Sequence, residues 1–296
     1  MNLLSTAKRA QIIHLLVEGM SMRAASRIAD VSINTVTKLL ADVGEACAEY
    51  QDKTMRKLNC KRIQCDEIWS FVGCKEKNLS PELRGVFGYG DVYTWTAIDA
   101  DTKLMPCWHV GTRGAESAKI FIDDLANRLA HRVQLTTDGH GAYLSAVSGA
   151  FNNHIDYAML VKTYGDAPAR EASRKYSPSQ FTGAHTSVIA GYPDVEHIST
   201  SYVERANLTM RMHMRRFTRL TNAFSKKVEN HMHAVALHMM LYNFARIHKS
   251  LRVTPAMQAG IADHVWTIEE VVGLMPAPVA KKRGPYKVRQ DSTAAV

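Results

Sequence analysis

Three carboxylates combine residue type and position in a way that could do chemistry. Asp66 lies inside an otherwise apolar run from Arg62 to Val72. Asp138 follows the run Val133 to Thr137 at an Asp-Gly turn. Glu204 stands among bases on a segment opened by Ser199, Thr200 and Ser201, hydroxyl residues that can cap a helix. Arg211 lies two helical turns further on the same face. An unpaired carboxylate is expensive to bury, so an acid within an apolar strand implies a partner. Three converging carboxylates make an oxygen-rich site for hard divalent cations. Two such cations about 4 Å apart suit an in-line phosphoryl displacement that needs no protein nucleophile. An Asp-Gly pair after a strand is by itself only a turn signal, so the weight rests on the three acids together. Glu67, next to Asp66, is expected to project from the opposite face of its strand and is left out of the site.

The elements that must position these acids follow from periodicity. Residues 62–72 alternate as a strand, 92–99 form a second and 104–110 return as a third. Residues 115–130 read as a helix, 133–139 as a fourth strand, 143–150 as a short helix and 157–161 as a fifth strand. Three meandering strands followed by alternating helix and strand match an α/β, ribonuclease-H-like mixed sheet with flanking helices. In that order the first and fourth strands are neighbours, which brings Asp66 beside Asp138. Residues 163–198 are rich in Gly, Pro, Ser and Ala and read as a long insertion with little periodicity. The Glu204 helix follows, then a helix over about residues 225–247. In that last helix His231, His233 and His238 have poor spacing for a metal and read as packed positions.

An all-α helix-turn-helix segment precedes the sheet. Residues 5–18 form a helix that Gly19 ends, a second begins after Ser21, and Ala29 to Val31 make a short turn. Ser32 caps the next helix, with Ile33, Val36 and Leu40 inward and Ser32, Asn34, Thr35 and Lys38 outward, able to meet base edges and phosphates. The expected division is 1–45 for this domain, 46–60 for a helical linker and 61–250 for the sheet domain. Residues 251–279 form a C-terminal extension and 280–296 a basic tail without fixed structure.

Composition bounds the partners. The 296 residues are 46% hydrophobic and 22% charged, ordinary for a soluble chain, with a net charge of +9 that suits a polyanion. Residues 210–227 hold Arg211, Arg215, Arg216, Arg219, Lys226 and Lys227 without an acid. Five cysteines at irregular spacing, with no Cys-x-x-Cys pair, argue against a disulfide framework or zinc ribbon and for a reducing cytoplasm. There is no signal-peptide pattern and no apolar run near the roughly 18 residues of a membrane span.

The runs Ile63 to Val72, Thr96 to Asp99, Thr137 to Gly139 and Ser199 to Thr209 together resemble the DDE transposases of bacterial insertion sequences, most of all the insertion-sequence-one family. Leu241 to Leu251 and Thr254 to Met257 resemble the element after the catalytic helix in these enzymes and in integrases. The resemblance implies magnesium-dependent hydrolysis at an element's ends and strand transfer of the exposed 3′-hydroxyls into target DNA. It implies that Asp66, Asp138 and Glu204 are catalytic and hold two Mg²⁺ ions, with Mn²⁺ as a substitute. It further implies that Arg211 contacts a phosphate or terminal base. Arg205, Arg215, Arg216 and Arg219 are expected to track the DNA backbone beside it. The expected partners are terminal inverted repeats and target DNA, bound by a homo-oligomer near the bacterial nucleoid. Family members often begin with a zinc-binding module, whose cysteine pairs this N-terminus lacks. A DNA-binding regulator with a dead catalytic domain is the alternative, against which the intact triad speaks. A structure-selective nuclease is a third reading, and residues 21–40 speak against it.

Overall fold

The computed structural model describes residues 4–165, 181–218 and 222–276. Helices α1 (Thr6–Val17), α2 (Met22–Ala29) and α3 (Ile33–Thr54) open the chain. Each starts on a serine hydroxyl that accepts a backbone amide three residues on, at 3.1–3.2 Å: Ser5 from Lys8, Ser21 from Ala24 and Ser32 from Thr35. Asp30 takes the left-handed conformation, φ 50°, that turns α2 into the approach to α3. Val36 and Leu40 are buried as expected, whereas Ile33, the first helical residue, is exposed.

α3 runs unbroken past residue 45. Gly44, in its middle, is where α3 meets α7 (Val228–Met240) most closely: an added Cβ would lie 2.5–2.7 Å from His233 atoms, backbone among them. The far end of α3 is tied down by α4 (Ala115–Arg128). Arg128 donates to the Gln51 and Met55 carbonyls at 3.4 and 3.3 Å and to Asp52 at 2.8 Å. The Gln51 amide donates to the Ala236 carbonyl of α7 at 3.1 Å.

Six strands form one mixed sheet in the order β3-β2-β1-β4-β5-β6. They are β1 (Arg62–Val72), β2 (Gly90–Asp99), β3 (Trp108–Gly111), β4 (Gln134–Thr137), β5 (Asp156–Tyr164) and β6 (Phe181–Ala190). β1 to β3 pair antiparallel, and β1, β4 and β5 run parallel. The expected neighbourhood of the first and fourth strands is found, paired from Arg62↔Gln134 to Cys65↔Thr137. β3 is shorter than expected: the Met105 amide donates to the Asn243 side chain at 2.9 Å instead of to β2. The segment 163–198 holds an unexpected strand: β6 pairs antiparallel with β5. An edge strand exposed on both faces carries no apolar alternation to read, and most of β6 is exposed.

Residues of β1 and β2 alternate between two cores. Ile63 and Cys65 with Trp95 and Ala97 pack on α4 and α5 (Ala142–Phe151). Ile68 and Val72 with Val92 and Ile98 pack on α6 (Ser201–His213) and α7. α7 stops at Met240 and passes into a widened turn, Leu241–Ala245, followed by the short helices α8 (Pro255–Gln258) and α9 (Ile268–Gly273). His231 and His238 are buried on α7, and burial pushes both imidazoles down to about 3, so they pack as neutral rings. The five cysteines are free thiols. No described helix is long and apolar enough to cross a membrane.

The α3–α7 contact yields a direct prediction. Gly44→Ala will destabilise the fold by about 1–3 kcal/mol, because the new methyl meets backbone that cannot swing aside. Urea unfolding followed by circular dichroism measures this, and an unchanged midpoint would refute the close contact.

Candidate active site

β4 is four residues long and ends at Thr137, whereas β1 continues to Val72. From Asp66 to Phe71 the β4 side of β1 is therefore an open edge, closed again where Val72 bridges Ser225, and Asp138 leaves β4 beside its start. The Asp138 carboxylate accepts the His140 amide at 3.0 Å, which turns the chain towards α5. Asp66 is held from two directions. Its Oδ1 accepts the Glu67 amide at 2.9 Å, and its Oδ2 accepts the Asn207 side chain of α6 at 2.9 Å. The Thr96 hydroxyl fixes Asn207 by donating to its Oδ1 at 3.0 Å. The buried Gln64, two residues before Asp66, accepts the Tyr202 and Val203 amides at 2.9 and 3.2 Å and so seats the start of α6 on β1.

Glu67 joins the site, which corrects the expectation that it points away. Asp66, Glu67 and Asp138 each offer one carboxylate oxygen, and the three lie within 4.8 Å of one another. Strand alternation does send the two neighbours to opposite faces, but both flank an unpaired edge and reach the space just past β4. The Glu67 side chain is only 2% exposed. It accepts from Arg113 Nε at 2.9 Å and from the Tyr143 hydroxyl at 3.2 Å.

Glu204 lines the same cavity of about 830 Å³, together with Arg113, His140, Lys162, Asn207 and Arg211. Its carboxylate is not one of the three that crowd together. It pairs with Lys162 of β5 and accepts the Thr200 hydroxyl at 2.6 Å.

The electrostatics follow from the crowding. Burial, then the charges of Asp138 and Glu67, raise the Asp66 carboxyl to about 7, against the pull of the Glu67 amide and Asn207. Burial and Asp138 also raise Glu67, opposed by Arg113. Three mutually repelling carboxylates with oxygens facing one cavity fit a hard divalent cation, which removes the repulsion that raises Asp66.

Of the other expected site residues, four lie at the start of α3, Arg205 and Arg211 on α6, and Arg215 and Arg216 in the turn after it. Ser32, Asn34 and Lys38 are exposed on the first turns of α3, with Thr35 half-buried; Lys38 pairs with Asp42 at 2.6 Å. Arg205 and Arg215 are exposed, and Arg211 reaches the cavity. Arg216 is corrected: it turns inward onto Ser225 and the Met22 sulfur, and burial lowers its guanidinium to about 10. Arg216 is thus half-buried, with its guanidinium engaged by the protein itself. Arg219 and the basic tail lie outside the described residues. The sequence reading missed Glu67, Arg113, Lys162 and Asn207. Of these only Asn207 carried a signal, one helical turn after Glu204.

No family model matches the chain, and no curated protein does. Among solved structures, a Mos1 transposase paired-end complex with left transposon end aligns at 14% identity and TM-score 0.24, over 53% of this chain and 60% of that one. A pre-cleavage Mos1 transpososome aligns over the same shares at 14% identity and TM-score 0.23. A piggyBac transposase synaptic complex with hairpin DNA aligns at 11% identity and TM-score 0.41, over 91% of this chain and 70% of that one. The chain thus spans about 60% of the length of the Mos1 chains it matches. At TM-scores below 0.5 these likenesses define neither fold nor activity.

The cavity predicts cation binding that depends on pH. Because Asp66 must lose its proton to act as a ligand, and burial raises it to about 7, Mn²⁺ affinity should climb between pH 6 and 8. Asp66→Asn should weaken binding at least about tenfold and flatten that climb. Isothermal titration of the purified protein measures both, and a pH-independent affinity would refute the assignment.

Proposed function

We propose that this chain is a DDE-type transposase of a bacterial insertion sequence, resembling the insertion-sequence-one family, with a ribonuclease-H-like catalytic core. It binds the ends of its element and catalyses metal-dependent strand cleavage and strand transfer. One observation carries the reading: β1 and β4 pair in parallel, so Asp66 and Asp138 meet at the open edge, in a cavity that Glu204 also lines. Asp66, Asp138 and Glu204 are the proposed catalytic and metal-holding residues, with Glu67 as an added carboxylate. Two bound Mg²⁺ ions would activate the attacking oxygen and stabilise the leaving oxygen of an in-line displacement.

The chain's own residues then have definite tasks. Asn207 and the Glu67 amide keep the Asp66 carboxylate aimed into the cavity. Arg113, Lys162 and Arg211 ring the acids and offset the charge of an entering phosphate backbone. Lys162, now paired with Glu204, would transfer to a phosphate and free that carboxylate for the cation. α2 and α3 are the proposed helix-turn-helix reader, presenting Ser32, Asn34, Thr35 and Lys38. The Lys38–Asp42 pair is a surface pair worth at most about 1 kcal/mol, so a phosphate can displace it. Two ends must be held at once, which calls for a homo-oligomer on DNA.

Asp66→Asn, Asp138→Asn and Glu204→Gln should each abolish Mg²⁺-dependent nicking of the terminal repeats while leaving DNA binding intact. A gel nicking assay paired with a mobility-shift assay tests this. Full activity in any of the three would sink the triad, and an inert wild-type protein that still binds would favour the regulator.

A further inference from the structure

β1 continues beyond the acids, and its outer end carries aromatic residues that neither core uses. Trp69 and Phe71 share the Glu67 face of the strand, two and four residues on, or roughly 7 and 13 Å along it. On the neighbouring strand Tyr93 stands opposite Trp69. The Trp69 and Phe71 rings lie tilted at a centroid distance of 5.8 Å, and Phe71 meets Phe224, also tilted, at 5.1 Å. Among the described residues, Trp69, Phe71 and Phe224 belong to neither hydrophobic core, and all three are half-buried, each with part of its surface open to solvent. Large aromatic side chains left outside a core usually mark a binding surface.

Two cations border the row. The Arg113 guanidinium lies 5.7 Å from the Tyr93 ring and also bonds Glu67 at 2.9 Å, so one side chain links the acidic cavity to the aromatics. The Lys75 ammonium lies 5.8 Å from the Trp69 ring near the far end. Rings in series with flanking cations suit a chain that alternates flat bases with phosphates. They do not suit a paired duplex, whose bases present edges rather than faces.

We propose that this row is a stacking platform for unpaired nucleobases of the DNA strand held at the acidic cavity. The assignment rests on the DNA-processing reading above and adds a substrate feature to it: a strand locally unpaired beside the reacting phosphate. Trp69 and Phe71 supply the faces, and Arg113 and Lys75 hold the adjoining phosphates.

The test uses the full-length protein without divalent metal. It compares a blunt duplex with the same duplex bearing a single-stranded overhang that contains 2-aminopurine. Fluorescence anisotropy gives affinity, and quenching of the 2-aminopurine reports stacking. The overhang should bind about tenfold more tightly per stacked base, the factor that about 1.4 kcal/mol converts to, and should be quenched. Trp69→Ala and Phe71→Ala should lose the preference and the quenching but keep blunt-duplex affinity, with circular dichroism confirming that both variants are folded. Trp69→Phe, which keeps a ring, should retain both. Equal wild-type affinity for the two DNAs overturns the platform and leaves the proposed function standing. Failure to bind either DNA overturns both. A DNA-independent dimer that Trp69→Ala dissolves would assign the row to a protein contact and overturn the platform.

Discussion

The arrangement depends on the early end of one strand. β4 has four residues and gives β1 a partner only as far as Cys65. Had it run two residues further, its backbone would fill the space in which Asp66, Glu67 and Asp138 converge. Carboxylates so close repel, and the fold tolerates them because each is tethered by donors: Asn207 and a backbone amide for Asp66, Arg113 and Tyr143 for Glu67, the His140 amide for Asp138. The remaining cost, from burial first and then from the Asp138 and Glu67 charges, shows in the raised Asp66 carboxyl. Sites that retain such a cost are candidates for function on physical grounds alone.

Charge is layered around that centre. Acids occupy the floor of the cavity, and Arg113, Lys162 and Arg211 stand around it. Two of these bases are already engaged by acids, Arg113 with Glu67 and Lys162 with Glu204. Bases beside the acids offset part of the charge that a negatively charged ligand would meet there.

Much of this was legible in the chain itself. Alternation from Arg62 to Val72 and the Asp-Gly turn located two of the acids and the parallel neighbours that carry them. Ser32 marked the start of α3 through capping. What escaped notice did so for identifiable reasons. Strand alternation counts faces, so it assigns Glu67 to the far side and cannot register that the edge beside it is free. β6 is exposed on both faces, so burial writes no pattern into its residues. Arg216 looked like its basic neighbours, and only packing against Ser225 and Met22 distinguishes it. Gly44 reads as a weak point in a helix, when it is the place where two helices nearly touch.

That contact has a consequence for the whole molecule. α3 spans 22 residues, a rod of about 33 Å, with its polar first turn in solvent and its other end fastened to α4 and α7 through Arg128 and Gln51. No hinge interrupts it. The first turn is therefore carried on one continuous helix that is anchored to the elements around the sheet. One residue added to α3 would advance the turn by about 1.5 Å and swing it by about 100°. In the proposed function α3 acts as a spacer: the stretch of DNA between the sequence its first turn would read and the bond that would be cut follows from the dimensions of the protein.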